Sequence, residues 1–181
     1  MSSVVATARC GVLAAGAIAA LGAIVALGAL AGCGQPSSNT ANTAAATSPP
    51  GAPPELTDAQ KKALVAELPA AYQSADLSNG EARFAICRSC HTLPQGGDDM
   101  TGPNLWGIFG RKAGSKVGFT YSDELAHAGW TWDAERLDKW IENPHAVLHD
   151  TKMTFVGMPS PTDRRDVIAF LKVQTSPPPK S

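Results

Sequence analysis

Cys87-Arg88-Ser89-Cys90-His91 is the stretch on which the reading of this 181-residue chain turns. Two thiols three residues apart on a helical turn can reach the two vinyl groups on one edge of a porphyrin, and the histidine that follows directly then falls beneath the iron. Such bonds fix both the position of the group and one axial ligand. The pattern is that of c-type haem attachment. Two other chemistries share the Cys-x-x-Cys spacing. A thioredoxin-like redox pair needs a βαβ setting, which the flanking sequence lacks. A zinc site needs two more ligands of the right type. The other two cysteines, Cys10 and Cys33, fall in an apolar N-terminal run, so the remainder of the chain has no second pair for a zinc site or a disulfide framework.

Outward from the motif the sequence reads as helices separated by long loops. Residues 57–73 form a helical pattern with Thr57 as N-cap and Pro69 bending or ending it. Residues 77–88 form a second helix, starting near Ser78 or Asn79 and carrying Phe84 and Ile86. Residues 92–118 are loop: five glycines fall between Gly96 and Gly110, and Pro94 and Pro103 interrupt the segment. A short helix is expected at 122–128. Another is expected at 133–142, capped by Thr131 and stopped by Pro144, with Leu137, Trp140 and Ile141 on one face. After a loop at 143–159, the last helix runs over 161–173. Ser160 is its N-cap, Pro161 its first residue, Asp163 sits at N3, and Val167, Ile168 and Leu171 form its apolar stripe. Two-residue alternation is sustained nowhere, so the fold class is all-α. Loops this long between helices this short need something to wrap around, and a large cofactor supplies it.

A second axial ligand has to come from elsewhere in the chain. The candidates are Met100, Met153, Met158, His127, His145 and His149.

The N-terminal third has a different character. Residues 11–31 contain no charge and no proline, and Arg9 provides a positive flank. At helical rise they span roughly 30 Å, about one hydrocarbon core. The run is an export signal or a membrane anchor. Leu30-Ala31-Gly32-Cys33 resembles the lipobox of bacterial lipoproteins. That resemblance implies a lipidated Cys33 at the mature N-terminus; the alternative is an uncleaved signal-anchor in which Cys33 is incidental. Residues 34–54 have the composition of a flexible Ala/Ser/Thr/Pro linker, with a reach of roughly 25 Å. The expected organisation is a leader at 1–33, a linker at 34–54 and a domain at 55–181, tethered to a membrane on its periplasmic or extracytoplasmic side.

Arg9 is the only charged residue before Glu55, so 14 of the 15 basic residues and all 16 acidic ones leave the domain with a net charge of −2. No basic stripe is present, which excludes a nucleic-acid binder. No acid–base pair or substrate site stands out, and no small-molecule substrate is expected.

The motifs beyond His91 sharpen this reading. Thr101-Gly102-Pro103-Asn104-Leu105-Trp106-Gly107 is followed by Phe109-Gly110-Arg111-Lys112-Ala113-Gly114, then by Phe119-Thr120-Tyr121-Ser122, Trp132, Glu142-Asn143-Pro144 and Thr151-Lys152-Met153. In this order and spacing, from about Asn79 to Val173, the chain resembles the class I (mitochondrial-type) cytochrome c family. The resemblance implies a cytochrome c fold around one covalent haem c held by Cys87 and Cys90, with His91 and Met153 as axial ligands. It implies that the Pro103 carbonyl accepts the free ring N–H of His91. It places Arg111, Tyr121, Trp132 and Thr151 around the propionates, and sets Asn79 or Gly80, Phe84, Val167 and Phe170 where the first and last family helices cross. Met158 becomes packing on the same loop as Met153.

Three departures from the family pattern matter. Trp140 stands where a tyrosine is usual near the methionine ligand. His149-Asp150 replaces a Pro-Gly pair. Little remains of the lysine ring of the soluble members beyond Lys112, Lys116 and Lys152. The resemblance implies an electron carrier, not an enzyme, passing single electrons between respiratory or photosynthetic membrane complexes, from a quinol-oxidising complex to a terminal oxidase or reductase. A peroxidase-like haem enzyme or gas sensor with a displaceable Met153 is the alternative.

Overall fold

A computed structural model describes residues 55–180. The expected leader, with Cys33, and the expected linker lie outside the described residues. The helices are α1 (Asp58–Ala66), α2 (Leu77–Phe84), α3 (Asp123–Ala126), α4 (Ala134–Glu142), α5 (Pro144–Val147) and α6 (Pro161–Thr175), with single 3-10 turns at Ala70–Tyr72 and Cys87–Ser89. No strand forms among the described residues; one isolated bridge joins Lys112 and Thr131. None of the described helices is long and apolar enough to cross a membrane. The all-α class is therefore the fold observed.

The centre of the fold is the crossing of α2 over α6. Gly80 makes it possible: a Cβ there would overlap the carbonyl oxygen of Asp166 and stand 2.8 Å from the Phe170 Cβ. The Phe84 and Phe170 rings meet at 5.5 Å beside it, and the Arg88 guanidinium lies 5.9 and 5.8 Å from their centroids. One edge of the crossing is polar. Asp166, 1% exposed, accepts from the Asp76 backbone N–H at 3.1 Å and from Asn79 Nδ2 at 2.8 Å, and Arg165 reaches it at 2.7 Å. Burial pushes its carboxyl up, but hydrogen bonds from Asn79, Arg165 and Asp76 outweigh that and hold it below the usual carboxylate range. The folded value lies below the unfolded one. The charged form thus adds stability that is complete above the unfolded value near 4 and is lost as the pH falls through the lower folded value. Asp166→Asn should therefore lower stability at pH 7 by about 2 kcal/mol and flatten the acid limb of a plot of urea midpoint against pH.

Helix ends follow local chemistry, sometimes differently from expectation. Thr57 does cap α1, in a full capping box with Gln60, but the helix stops at Ala66 and not at Gln73. Pro69 starts a separate 3-10 turn, and the Gln73 amide caps the Ala66 and Leu68 carbonyls at 3.2 and 2.8 Å. Asp76, not Ser78 or Asn79, caps α2, because its carboxylate accepts from the N–H groups of both. The expected helix at 77–88 breaks after Phe84 and tightens to the turn that carries Cys87. Asp133 caps α4, its Oδ1 accepting from the Arg136 N–H at 2.6 Å, while Thr131 pairs with Lys112. The loop expected at 143–159 opens with α5, capped by Asn143 and begun by Pro144. The α6 start matches expectation: Ser160 accepts from the Asp163 N–H.

Residues 55–76, which precede the region of resemblance, cover α6 and the start of α4. Leu64, Val65, Leu68 and Tyr72 are buried, the Tyr72 hydroxyl donates to the Ala134 carbonyl at 3.3 Å, and Glu67 pairs with Lys172 at 2.6 Å. Burial, aided by Asp138, Glu135 and Asp133, pushes the Tyr72 phenol up to about 12, so it stays a donor. Leu137, Trp140 and Ile141 of α4 complete the core.

Candidate functional site: a cavity built on the Cys-x-x-Cys-His turn

A cavity of about 400 Å³ opens between the Cys87–Ser89 turn, the long loop after it, the 151–156 segment and the inner faces of α4 and α6. Its wall is mostly apolar: Phe84, Leu105, Ile108, Leu125, Leu137, Ile141, Val167 and Leu171. Every site residue expected from the sequence within the described region lines it: Cys87, Cys90, His91, Pro103, Arg111, Tyr121, Trp132, Thr151 and Met153.

The turn presents both thiols and the imidazole to this space. Cys87 and Cys90 are free and half-buried. Burial, with Cys90 adding to it, pushes the Cys87 thiol up to about 11. A thioredoxin-type nucleophile needs the opposite shift, so the redox-pair reading finds no support. Among the described residues no three or more His, Cys, Asp or Glu gather as a metal set, which leaves a zinc site without its remaining ligands.

His91 Nδ1 lies 2.7 Å from the Pro103 carbonyl oxygen. A carbonyl only accepts, so Nδ1 carries the proton and Nε2 keeps its lone pair. Burial lowers the His91 pKa, the Pro103 hydrogen bond opposes that in part, and the ring is held below the usual histidine range, in the neutral form that binds metals. Gly102 makes room for it: a Cβ there would overlap the ring, 2.8 Å from Nδ1 and Nε2.

Asn104, 4% exposed, fixes the backbone that carries Pro103. Its Nδ2 donates to Thr92 Oγ1 at 2.8 Å and to the Pro94 carbonyl at 2.9 Å, and its Oδ1 accepts from the Trp106 N–H at 3.0 Å. The motif contained Asn104, but its buttressing role depends on loop contacts that spacing does not reveal.

Of the six candidates for a second axial ligand, only Met153 lines the cavity. Met158 belongs to a separate recess, and its backbone N–H donates to Ile141. Met100 is 49% exposed, and His127, His145 and His149 are exposed. Thr151, buried, accepts the Met153 N–H through Oγ1 at 3.3 Å and so orders the methionine's backbone. Arg164, 5% exposed, anchors the far end of the same loop: it donates to the Met158 and Pro159 carbonyls at 2.9 Å and to Asp138 at 2.8 Å.

The polar part of the wall gathers near Tyr121. Arg111 is half-buried and donates to the Asn104 and Trp106 carbonyls at 3.2 and 3.3 Å, so it braces the loop as well as facing the cavity. Burial lowers its pKa, while Tyr121 and Asp99 oppose the shift. Trp132 is buried between Trp130 and Trp140, edge-on to each at 6.1 and 5.4 Å. Sequence reasoning missed Ser122. Its hydroxyl is buried, has no hydrogen-bond partner, and lines the cavity beside Tyr121. It stands at the N-cap position of α3 but makes no capping bond. An orphaned buried hydroxyl calls for a ligand atom.

The residues fit a c-type haem. Two thiols sit beside a neutral imidazole with a free Nε2, a thioether shares the cavity, the wall is mostly apolar, and the Ser122 hydroxyl, the Tyr121 phenol and the Arg111 guanidinium on it would suit the haem's carboxylates.

Comparison with known proteins agrees. No family model matches the chain. It is 47% identical to cytochrome c2 of Rhodomicrobium vannielii over 104 residues, 58% of this chain and 83% of that protein. It is 43% identical over 110 residues to cytochrome c of Arabidopsis thaliana, covering 57% of this chain and 98% of the plant protein. It is also 43% identical over 89 residues to cytochrome c2 iso-2 of Magnetospirillum fulvum, covering 49% and 92%. The chain therefore belongs to the cytochrome c family of electron-transfer proteins, which carry one covalently attached haem c and are not enzymes.

Proposed function

We propose that the chain is a membrane-tethered monohaem cytochrome that takes single electrons from a quinol-oxidising complex and delivers them to a terminal oxidase or reductase, on the periplasmic or extracytoplasmic side. In this reading residues 1–33 are the leader, with Cys33 lipidated, residues 34–54 the linker, and 55–181 the electron-transfer domain. The haem supplies the one-electron couple when bound. The chain's residues hold it, set its potential and keep water from the iron.

Cys87 and Cys90 attach the haem. His91 and Met153 ligate its iron, which favours a higher potential than two histidines would give. The observation that carries this pair is that Met153 alone, of six candidates, shares the cavity with His91. Pro103 fixes the imidazole tautomer. Tyr121, Ser122, Trp132, Thr151 and Arg111 hold the propionates, whose burial without donors would be costly.

The tether rests on the apolar run, the lipobox-like end and the nearly neutral domain. A leash raises the effective concentration of neighbouring complexes without a steering charge. Comparison of the native chain with Cys33→Ser tests it. The native protein should gain lipid label and stay with membranes, and the variant should lose the label. Equal mass and equal membrane retention in both would establish an uncleaved anchor instead.

A further inference from the structure

A second recess of about 410 Å³ lies beside the haem cavity and shares Ile86 and Phe155 with it. Ala82 of α2, Ala85 and Ile86 after it, and Phe155, Gly157, Met158 and Pro159 of the methionine-bearing loop form its sides, together with the paired Arg83 and Asp163. Ile86 is 57% exposed, and Val156, on the cavity rim next to Phe155, is 89% exposed. These are two of the four large apolar side chains most open to solvent among the described residues, and both stand at one cavity mouth. Exposed apolar side chains gathered at a functional opening mark a contact surface.

Four cations of this part of the fold, Arg83, Arg88, Lys116 and Lys152, are already engaged within the chain. Arg83 pairs with Asp163 at 3.2 Å, Arg88 with Glu81 at 3.1 Å and Lys116 with Asp99 at 2.7 Å. Lys152 donates to the Tyr121 and Thr120 carbonyls at 2.9 and 3.4 Å. An acidic partner would find these charges internally compensated. A face that is apolar at its centre and charge-paired at its edge complements a partner face of the same kind.

We propose that this recess and rim receive an apolar, uncharged projection on the electron-exchange face of a redox partner protein, and that docking here is driven by apolar burial. A side chain seated against Ile86 and Phe155 touches residues that also wall the haem cavity, which keeps the transfer distance short. One electron passes from the reduced partner to the oxidised haem iron; no bond forms or breaks and no proton moves. The inference rests on the carrier function proposed above and names the surface and partner chemistry it uses.

The test uses the full-length holoprotein purified in detergent, and quinol-supplied membranes from a strain lacking this chain. The reduction rate should vary less than about twofold between about 20 and about 300 mM salt. Ile86→Lys and Val156→Lys should each slow it about fivefold or more, with the low-spin optical spectrum kept. Lys62→Glu, on the exposed side of α1, should leave the rate as it was. The lysine variants isolate the face, since leader and linker are the same in every chain. If the parent is reduced but the rate falls steeply with salt, or either lysine variant matches or exceeds it, the apolar dock is wrong and the carrier function stands. If the spectroscopically intact parent is not reduced at all, both are wrong. If sedimentation finds a dimer that Ile86→Lys dissociates, the face joins two copies of this chain and the proposal is overturned.

Discussion

Met153→Ala should turn the oxidised protein from low-spin to high-spin and lower its reduction potential by at least about 100 mV, within the roughly 0.8 V over which axial ligands set haem potentials. In the proposed ligation the thioether stabilises the reduced iron, and alanine would leave water or nothing in its place. Optical spectra and a potentiometric titration check both effects. Met158→Ala should keep the low-spin spectrum, because Met158 lines the neighbouring recess and not the cavity. A high-spin spectrum in Met158→Ala with an unchanged one in Met153→Ala would reverse the assignment. The Trp140 substitution enters here. Its indole lines the cavity, edge-on to Trp132. An indole donates but cannot accept.

Gly80→Ala should destabilise the holoprotein by about 3 kcal/mol. The added Cβ collides with backbone, the Asp166 carbonyl, as well as with the Phe170 Cβ at 2.8 Å, so α2 must lift away from α6. Alanine favours helix over glycine by about 1 kcal/mol, which sets the sign of the test. A net loss means that close packing at the crossing dominates. A net gain in the urea midpoint would mean that the crossing is loose enough to absorb a methyl group. Because α2 leads directly into the turn that bears Cys87, the variant should also retain less haem per chain.

What could be read in advance divides along the range of the interactions. The start of α6 was legible because Ser160, Pro161 and Asp163 act on backbone three residues away or less. The attachment turn was legible for the same reason. The break in α2 was not, since the chain tightens after Phe84 to aim Cys87 at the cavity against the helical trend of its sequence. Asp76 escaped notice as a cap because it lies one residue before the apolar pattern begins, and its neighbour Ser78 is an equally good capping type. The surface covered by residues 55–76 was illegible. Tyr72 meets Ala134, and Glu67 meets Lys172, across separations that no local pattern encodes. Ser122 is the instructive miss at the site: it begins the short helix expected at 122–128, and only its buried, unpartnered hydroxyl in the cavity wall points to a ligand.

The measurement that bears most directly on the central claim is peptide mass mapping after acid–acetone extraction of the purified protein. The account predicts that haem stays with the protein, one per chain, on the peptide holding Cys87, Cys90 and His91, with neither thiol free. Haem released into the solvent, or Cys87 and Cys90 recovered as unmodified thiols, would contradict it.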